Sequence, residues 1–71
     1  MMFQIVARLH NQSAVHVTGS DVSIDILRNL LIPSKAVKSI SIYAGEGHGP
    51  HVTAIEHINY TRIKELREEH A

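Results

Sequence analysis

The sequence predicts an α+β protein whose strands and helices follow one another in the order ββαββα. Polar and apolar residues alternate in four short segments, two further segments show helical spacing or helix-start signals, and turn-forming residues separate them. We expect a four-stranded, mostly antiparallel sheet with two helices packed on one face. Residues 1–71 should form one small domain, because so short a chain closes only about 60% of its unfolded surface on folding.

The first two strands are predicted to form a hairpin. Segment Phe3–Leu9 places an apolar side chain at every second position, as in a half-buried strand. Segment 14–18 alternates again, with His16 and Thr18 facing away from the two valines. The polar residues 10–13 between these segments are typical of a turn, so the two strands should lie side by side.

The first helix is predicted to begin at Ser20, whose hydroxyl can cap free amide groups, and acidic residues follow in its first turn. Pro33 disfavours helical geometry at the preceding Ile32, so the helix should end there. Its core-facing stripe is predicted to consist of Val22, Ile26, Leu27, Leu30 and Leu31.

The second half of the chain repeats the order strand, strand, helix. Residues 37–44 alternate as a third strand, and residues 51–58 are predicted to form the fourth. Between them, residues 45–50 contain three glycines and a proline and cannot continue a strand. Asn59 or Thr61 should cap a last helix that runs to about residue 69 and packs on the sheet of the same chain.

Composition and charge exclude several classes of function. Seven Lys and Arg residues balance seven Asp and Glu residues, so no basic surface for nucleic acid is expected. The absence of cysteine excludes disulfides, thiolate zinc sites and a cysteine nucleophile. No export signal or membrane-spanning segment is visible, so we expect a cytoplasmic protein with no membrane partner.

The face of the sheet that the helices leave uncovered is the first candidate functional surface. Its predicted residues are Arg8, His16, Thr18, Ser39, Ser41, Tyr43, His51, Thr53 and His57. Tyrosine and histidine can be buried in an interface and still form hydrogen bonds. We therefore predict a self-association or partner-binding surface at His16, Thr18, Tyr43, His51 and Thr53. The alternative interpretation is a solvated sheet surface.

The glycine-rich loop is the second candidate. Gly45, Gly47, His48 and Gly49 could expose backbone amides to a phosphate or nucleotide. Phosphate-binding loops of the common kinds, however, lead from a strand into a helix, whereas a strand is predicted after this loop. Glu46 would also repel an anion.

A metal site is the third candidate, because His48, His51 and His57 lie close together in sequence and imidazole is a good metal ligand. Glu46 or Glu56 could add a carboxylate. A structural zinc ion normally needs four protein ligands, and the Gly-Pro spacer matches no strong metal motif. We therefore expect no metal and no cofactor.

Taken together, the sequence favours a non-catalytic, protein-binding accessory or regulatory module that forms a homodimer, with itself and another protein as partners. One alternative is a protein that binds a small ligand, either a nucleotide, a phosphate or a metal, through the loop Gly45–His51. A small enzyme is the second alternative, although the sequence contains no nucleophile elbow and no recognisable pair of catalytic carboxylates.

Overall fold

The computed structural model describes residues 1–47 and 49–69, and its elements follow the predicted order. They are β1 (Phe3–Leu9), β2 (Ala14–Gly19), α1 (Asp21–Leu31), β3 (Val37–Ala44), β4 (Thr53–Ile58) and α2 (Tyr60–Glu69). The strands form one sheet in the order β2-β1-β3-β4, and each neighbouring pair is antiparallel. The predicted α+β fold class is confirmed. Strands β1 and β3 are central, and β2 and β4 form the edges.

One face of the sheet packs against both helices and holds the core. The buried apolar residues are Ile5, Ala7, Ile24, Ile32, Val37, Ile40, Ile42, Ile58, Ile63 and Leu66. Successive side chains of a strand point to opposite faces of the sheet. The strand residues that alternate with this buried set therefore lie on the other face. We call that second side, which neither helix covers, the open face.

Helix α1 packs on the sheet with only part of its predicted stripe, because Leu27 and Leu31 face the core as predicted and the other three residues do not. Val22, Ile26 and Leu30 were expected in the core, but they are 64%, 54% and 66% exposed, so that prediction is wrong. The apolar side chains that face the sheet are Ile24, Leu27 and Leu31. At 100° per residue the centres of the two sets lie about 130° apart around the helix, so only one of them can pack on the sheet.

Contacts at both ends fix the rotation of α1. The hydroxyl of Ser20 caps the helix by accepting a hydrogen bond from the Ser23 N–H at 3.2 Å. One turn before the other end, the Arg28 guanidinium donates to both carboxylate oxygens of Glu56 on β4, at 2.7 and 3.1 Å. Hydrogen bonding to this carboxylate raises the pKa of Arg28 above the usual arginine value. The ion pair therefore holds one side of α1 toward β4.

The C-terminal end of α1 differs in detail from the prediction. Ile32 keeps right-handed helical dihedral angles, with φ −53° and ψ −47°, although Pro33 follows it. Its N–H donates to the Arg28 carbonyl at 3.1 Å, and its side chain is buried. This hydrogen bond and the burial outweigh the steric bias that proline imposes on the preceding residue.

Helix α2 is held by few but well-buried contacts. Asn59, rather than Thr61, caps it, because the Asn59 Oδ1 accepts from the Arg62 N–H at 2.9 Å. Ile63 and Leu66 enter the core. The Arg67 guanidinium donates to the backbone carbonyls of the segment that joins α1 to β3, namely those of Ile32 (2.8 Å), Ser34 and Val37 (3.3 Å).

Strand β4 begins two residues later than predicted and contains an irregularity. Its paired residues are Ile58 with Ile40, His57 with Ser41, Glu56 with Ile42, Ala54 with Tyr43 and Thr53 with Ala44. Ile55 is therefore an extra residue, a β-bulge that reverses the alternation of side chains. Gly45 has a φ of +113°, and a side chain there would approach the His51 carbonyl oxygen to 2.9 Å. The two ends of the loop therefore approach each other too closely to admit a side chain at Gly45.

Candidate functional site

The side chains of the open face form rows that cross the strands. The row nearest the 45–52 loop contains Thr18, Gln4, Tyr43 and Ala54, the middle row His16, Val6, Ser41 and His57, and the far row Ala14, Arg8 and Ser39. The period-two alternation of three strands and the bulge of the fourth produce this arrangement. Gln4 and Val6, on the central strand β1, therefore lie between the side chains of β2 and β3.

Gln4 organises one end of the open face. Its side chain is almost fully buried, and Nε2 donates to the carbonyls of Gly45 at 2.9 Å and Gly47 at 3.0 Å. These two acceptors fix the orientation of the amide, so Oε1 must accept from His16 Nε2, which lies 2.7 Å away. His16 therefore carries a proton on Nε2. Through Gln4, the glycine-rich loop is attached to both β1 and β2.

The loop and the open face enclose a cleft of about 600 Å³. Its lining residues are Gln4, Val6, Arg8, Ala14, His16, Tyr43, Gly47, Gly49, Val52 and Ala54. Small-molecule sites in proteins typically occupy about 300 to 1,000 Å³ and combine apolar walls with a few polar groups. The size and lining of this cleft lie within that description.

The cleft is electropositive although the chain as a whole is neutral. Arg8 is the one charged residue among its described lining residues. The seven carboxylates are on α1 (Asp21, Asp25), in the loop (Glu46), on the helix-covered side of β4 (Glu56) and on α2 (Glu65, Glu68, Glu69). Within residues 1–47 and 49–69, the Arg8 guanidinium forms no hydrogen bond or ion pair. Its charge is therefore available to a ligand.

A second hollow, of about 290 Å³, adjoins Arg8 at the β1–β2 turn. It is lined by Arg8, Leu9, His10, Gln12, Ser13 and Lys38. Lys38 thus adds a second cation beside Arg8, outside the main cleft, and no carboxylate lines this hollow among the described residues. The far row of the open face is consequently its most positive part.

The structure brings together three of the five residues predicted for the self-association surface. His16, Thr18 and Tyr43 lie on the open face. His51 lies in the turn before β4, and Thr53 is paired with Ala44 on the face toward the helices. The bulge at Ile55 explains the position of Thr53, because it shifts the residues before it to the opposite face of the sheet.

The glycine loop uses its backbone groups for its own structure. Gly45, Gly47 and Gly49 have φ values of +113°, +72° and +121°, which favour glycine. The carbonyls of Gly45 and Gly47 face Gln4, and the Gly45 N–H donates to the Met2 carbonyl at 2.9 Å. Gly45 therefore offers no free amide to a phosphate. His48, also assigned to this ligand loop, lies outside the described residues.

The structure gives little support to the histidine metal site or to a catalytic site. In the described part of the chain, no three histidine or acidic side chains are grouped so that they could hold a metal ion. Of the three histidine candidates, His48 is outside the described residues, and His57 Nδ1 lies 2.8 Å from Ser41 Oγ. That Ser-His pair is accessible to solvent and lies outside the cleft lining, whereas a catalytic nucleophile usually needs a pocket that restricts water.

Gln4 is the site residue that sequence reasoning missed. The available signal was a polar side chain inside an apolar strand, on the side away from the core, in a chain that also has a glycine-rich loop. Nothing in the sequence indicates that this loop, about forty positions away, folds back over β1. Arg8 was placed on the open face, but its role in the cleft depends on the position of the loop.

Comparisons with models of protein families, with curated proteins and with solved structures find no match. Neither helix of the described residues has the length and hydrophobicity to cross a membrane.

Proposed function

We propose that the protein is a non-catalytic binding module that acts as a homodimer, joined along the β2 edge and the neighbouring side of α1. The observation that carries this proposal is the α1 ridge, defined as Val22, Ile26 and Leu30, whose side chains are all more than half exposed. A cluster of exposed apolar side chains commonly marks a contact surface. The ridge holds three of the eight large hydrophobic side chains that are exposed in the described part of the chain.

The β2 edge supports the same contact. Proteins usually protect an edge strand with charged side chains, proline or a bulge, because its free N–H and C=O groups can pair with another strand. Strand β2 contains no charged residue other than a titratable histidine, contains no proline, and pairs with β1 without a register shift. At the opposite edge, β4 carries both a bulge and Glu56. The two edges are therefore protected unequally.

The spacing of the strands and helices is compatible with pairing of two copies of the chain along β2. Helix α1 packs against β1 and β2 to similar extents, so its axis lies between them. Neighbouring strands are about 4.8 Å apart, so antiparallel pairing of two β2 strands would place the two α1 axes about 10 Å apart. Packed helices are typically separated by about 8 to 10 Å. Edge pairing would therefore bring the helices into contact as well.

The rotation of α1 and its charges also favour a second copy. Asp25 and Arg28 line the space between α1 and β4, which turns Ile26 and Leu30 toward the β2 side. The residues that flank the ridge, Ser23 and Asn29, are uncharged, so a twofold contact brings no like charges together.

The proposed dimer has a direct consequence for binding. In a continuous antiparallel sheet made by two β2 strands, the twofold axis is perpendicular to the sheet, so both open faces point the same way. The dimer would then present two clefts side by side to a partner. Simultaneous engagement of both sites strengthens binding beyond that of a single site.

The molar mass in solution tests the proposal, measured by light scattering over a dilution series. We expect the unmodified chain to have twice its monomer mass of 7.9 kDa. Leu30→Glu on the ridge and Val15→Lys on β2 should each reduce the mass to that of the monomer, because each places a charge in the contact.

Matched variants distinguish this contact from a general effect of charge. Thr61→Glu adds the same charge at an exposed position of α2, and Ile55→Lys changes an exposed apolar residue at the β4 edge; both should remain dimeric. A monomeric unmodified chain, or dissociation by Ile55→Lys but not by Val15→Lys, would overturn the proposal. Far-ultraviolet circular dichroism confirms that each variant is folded.

A further inference from the structure

We infer that the cleft on the open face binds a small organic carboxylate with an apolar body, the carboxylate at Arg8 and the body between the sheet and the loop. This inference concerns a site within one chain and does not depend on the homodimer. It also differs from the phosphate site that the glycine loop suggested, because the ligand contacts side chains of the sheet rather than loop amides.

The walls of the cleft define the body of the ligand. Val6, Ala14, Val52 and Ala54 supply aliphatic surface, and Tyr43 supplies an aromatic ring beside them. A volume of about 600 Å³ can accept a body with the size of one or two rings. Burial of apolar ligand surface against these side chains provides a driving force that a fully hydrophilic anion would lack.

The charge of the cleft defines the head group. Arg8 has a planar guanidinium whose geometry matches the two oxygens of a carboxylate, and in the described residues it has no protein partner to displace. No carboxylate is among the described residues that line the cleft, so none of these side chains repels a bound anion. Arg8 is the one Lys or Arg residue among the described residues that line the cleft, and the Gly45 amide donates to the Met2 carbonyl. A single negative charge therefore suits the site better than a polyphosphate.

The cleft is formed before a ligand arrives. Gln4 holds the loop through the carbonyls of Gly45 and Gly47 and is itself fixed by His16. No side-chain nitrogen or oxygen that is buried in the described residues lacks a hydrogen-bond partner. Binding would therefore order little additional structure, which reduces its entropic cost.

Two sources could supply this chemistry, a free small-molecule carboxylate or the carboxyl terminus of a peptide. Both present an apolar body next to a carboxylate. The experiment therefore includes both kinds of probe.

Titration of the ¹⁵N-labelled full chain, followed by amide chemical shifts, tests the inference. Benzoate should shift the amide signals of cleft residues such as Val6, Tyr43 and Val52, whereas benzamide, which has the same body without the charge, should bind at least about tenfold more weakly. Arg8→Gln should weaken benzoate binding by a similar factor. The matched control is Lys35→Gln, which removes an exposed cation outside the cleft and should leave the affinity unchanged.

A pair of capped peptides that end in phenylalanine, one as the free acid and one as the amide, identifies the source. Tighter binding of the free-acid peptide than of benzoate indicates a chain terminus, and the reverse indicates a small molecule. Equal binding of benzoate and benzamide, or equal loss in Arg8→Gln and Lys35→Gln, would overturn the inference. So would the absence of benzoate-dependent shifts in the cleft. A monomeric mass, by contrast, would contradict only the proposed dimer.

Discussion

The two helices lie on the same face of the sheet but are anchored in different ways. Helix α1 is rich in apolar residues, yet Val22, Ile26 and Leu30 remain exposed. Helix α2 is mostly charged, yet both of its aliphatic residues are in the core and Arg67 binds three carbonyls. Anchoring therefore depends on which groups are buried and hydrogen-bonded, not on how many are apolar. The apolar side chains that α1 leaves exposed are the basis of the proposed dimer contact.

The largest expected effect is in the core contact of α2. Ile63 is fully buried, and Ile63→Ala should reduce the free energy of unfolding by about 2 to 5 kcal/mol, because it removes buried methyl groups and leaves a cavity. Urea unfolding at concentrations where the chain is monomeric measures this loss. Ile26→Ala on the α1 ridge is the control and should cost only about 0.5 kcal/mol or less. Equal losses would mean that the two helices are anchored alike.

A smaller effect is expected for the polar anchor of α2. Arg67→Leu removes the donor to the carbonyls of Ile32, Ser34 and Val37 and should reduce the free energy of unfolding by about 1 to 3 kcal/mol. The same substitution at Arg62 removes only exposed ion pairs on α2 and should cost less than about 1 kcal/mol. Chemical denaturation of both variants checks the difference. The account of α2 fails if Arg62→Leu is the more destabilising change.

The smallest expected effect concerns the ion pair of α1. Glu56→Gln should cost about 1 kcal/mol or less, because the Glu56 carboxylate is partly exposed. Because the pKa of Arg28 is raised in the folded protein, the contribution of its charge to the free energy of unfolding is complete at pH values below the unfolded-state pKa. This contribution is lost only as the pH rises through the folded-state pKa. The difference in unfolding free energy between the two proteins should therefore stay constant from about pH 7 to about pH 10. A steady decline over that interval would contradict this assignment.

The order of the elements was predictable because each depends on a local signal. Alternation marks the strands, Ser20 caps α1, and Asn59 caps α2. The side of α1 that faces the sheet was not predictable in the same way. The apolar residues of the helix cover an arc too wide to be buried as a whole, and the part that is buried depends on Arg28 and its partner Glu56, which lies 28 positions away in the sequence.

The candidate site was predictable only in part. Alternation placed His16 and Tyr43 correctly on the open face, because β2 and β3 are regular around them. It failed for Thr53 because a bulge leaves no clear trace in the residue pattern. The role of Gln4 depends on a loop that returns to β1 from the far end of the next hairpin, and no local pattern reports such a contact.

The bulge in β4 has a consequence for the shape of the molecule. Had β4 paired regularly with β3 through Ile55, that residue would stand opposite Tyr43, and its branched side chain would project from the open face into the cleft. The small methyl group of Ala54 occupies that position instead. The shift in pairing thus places a compact side chain rather than a bulky one in the wall of the cleft and keeps the cleft wide. Ala54→Ile should preserve the sheet while filling part of the space that a ligand would need.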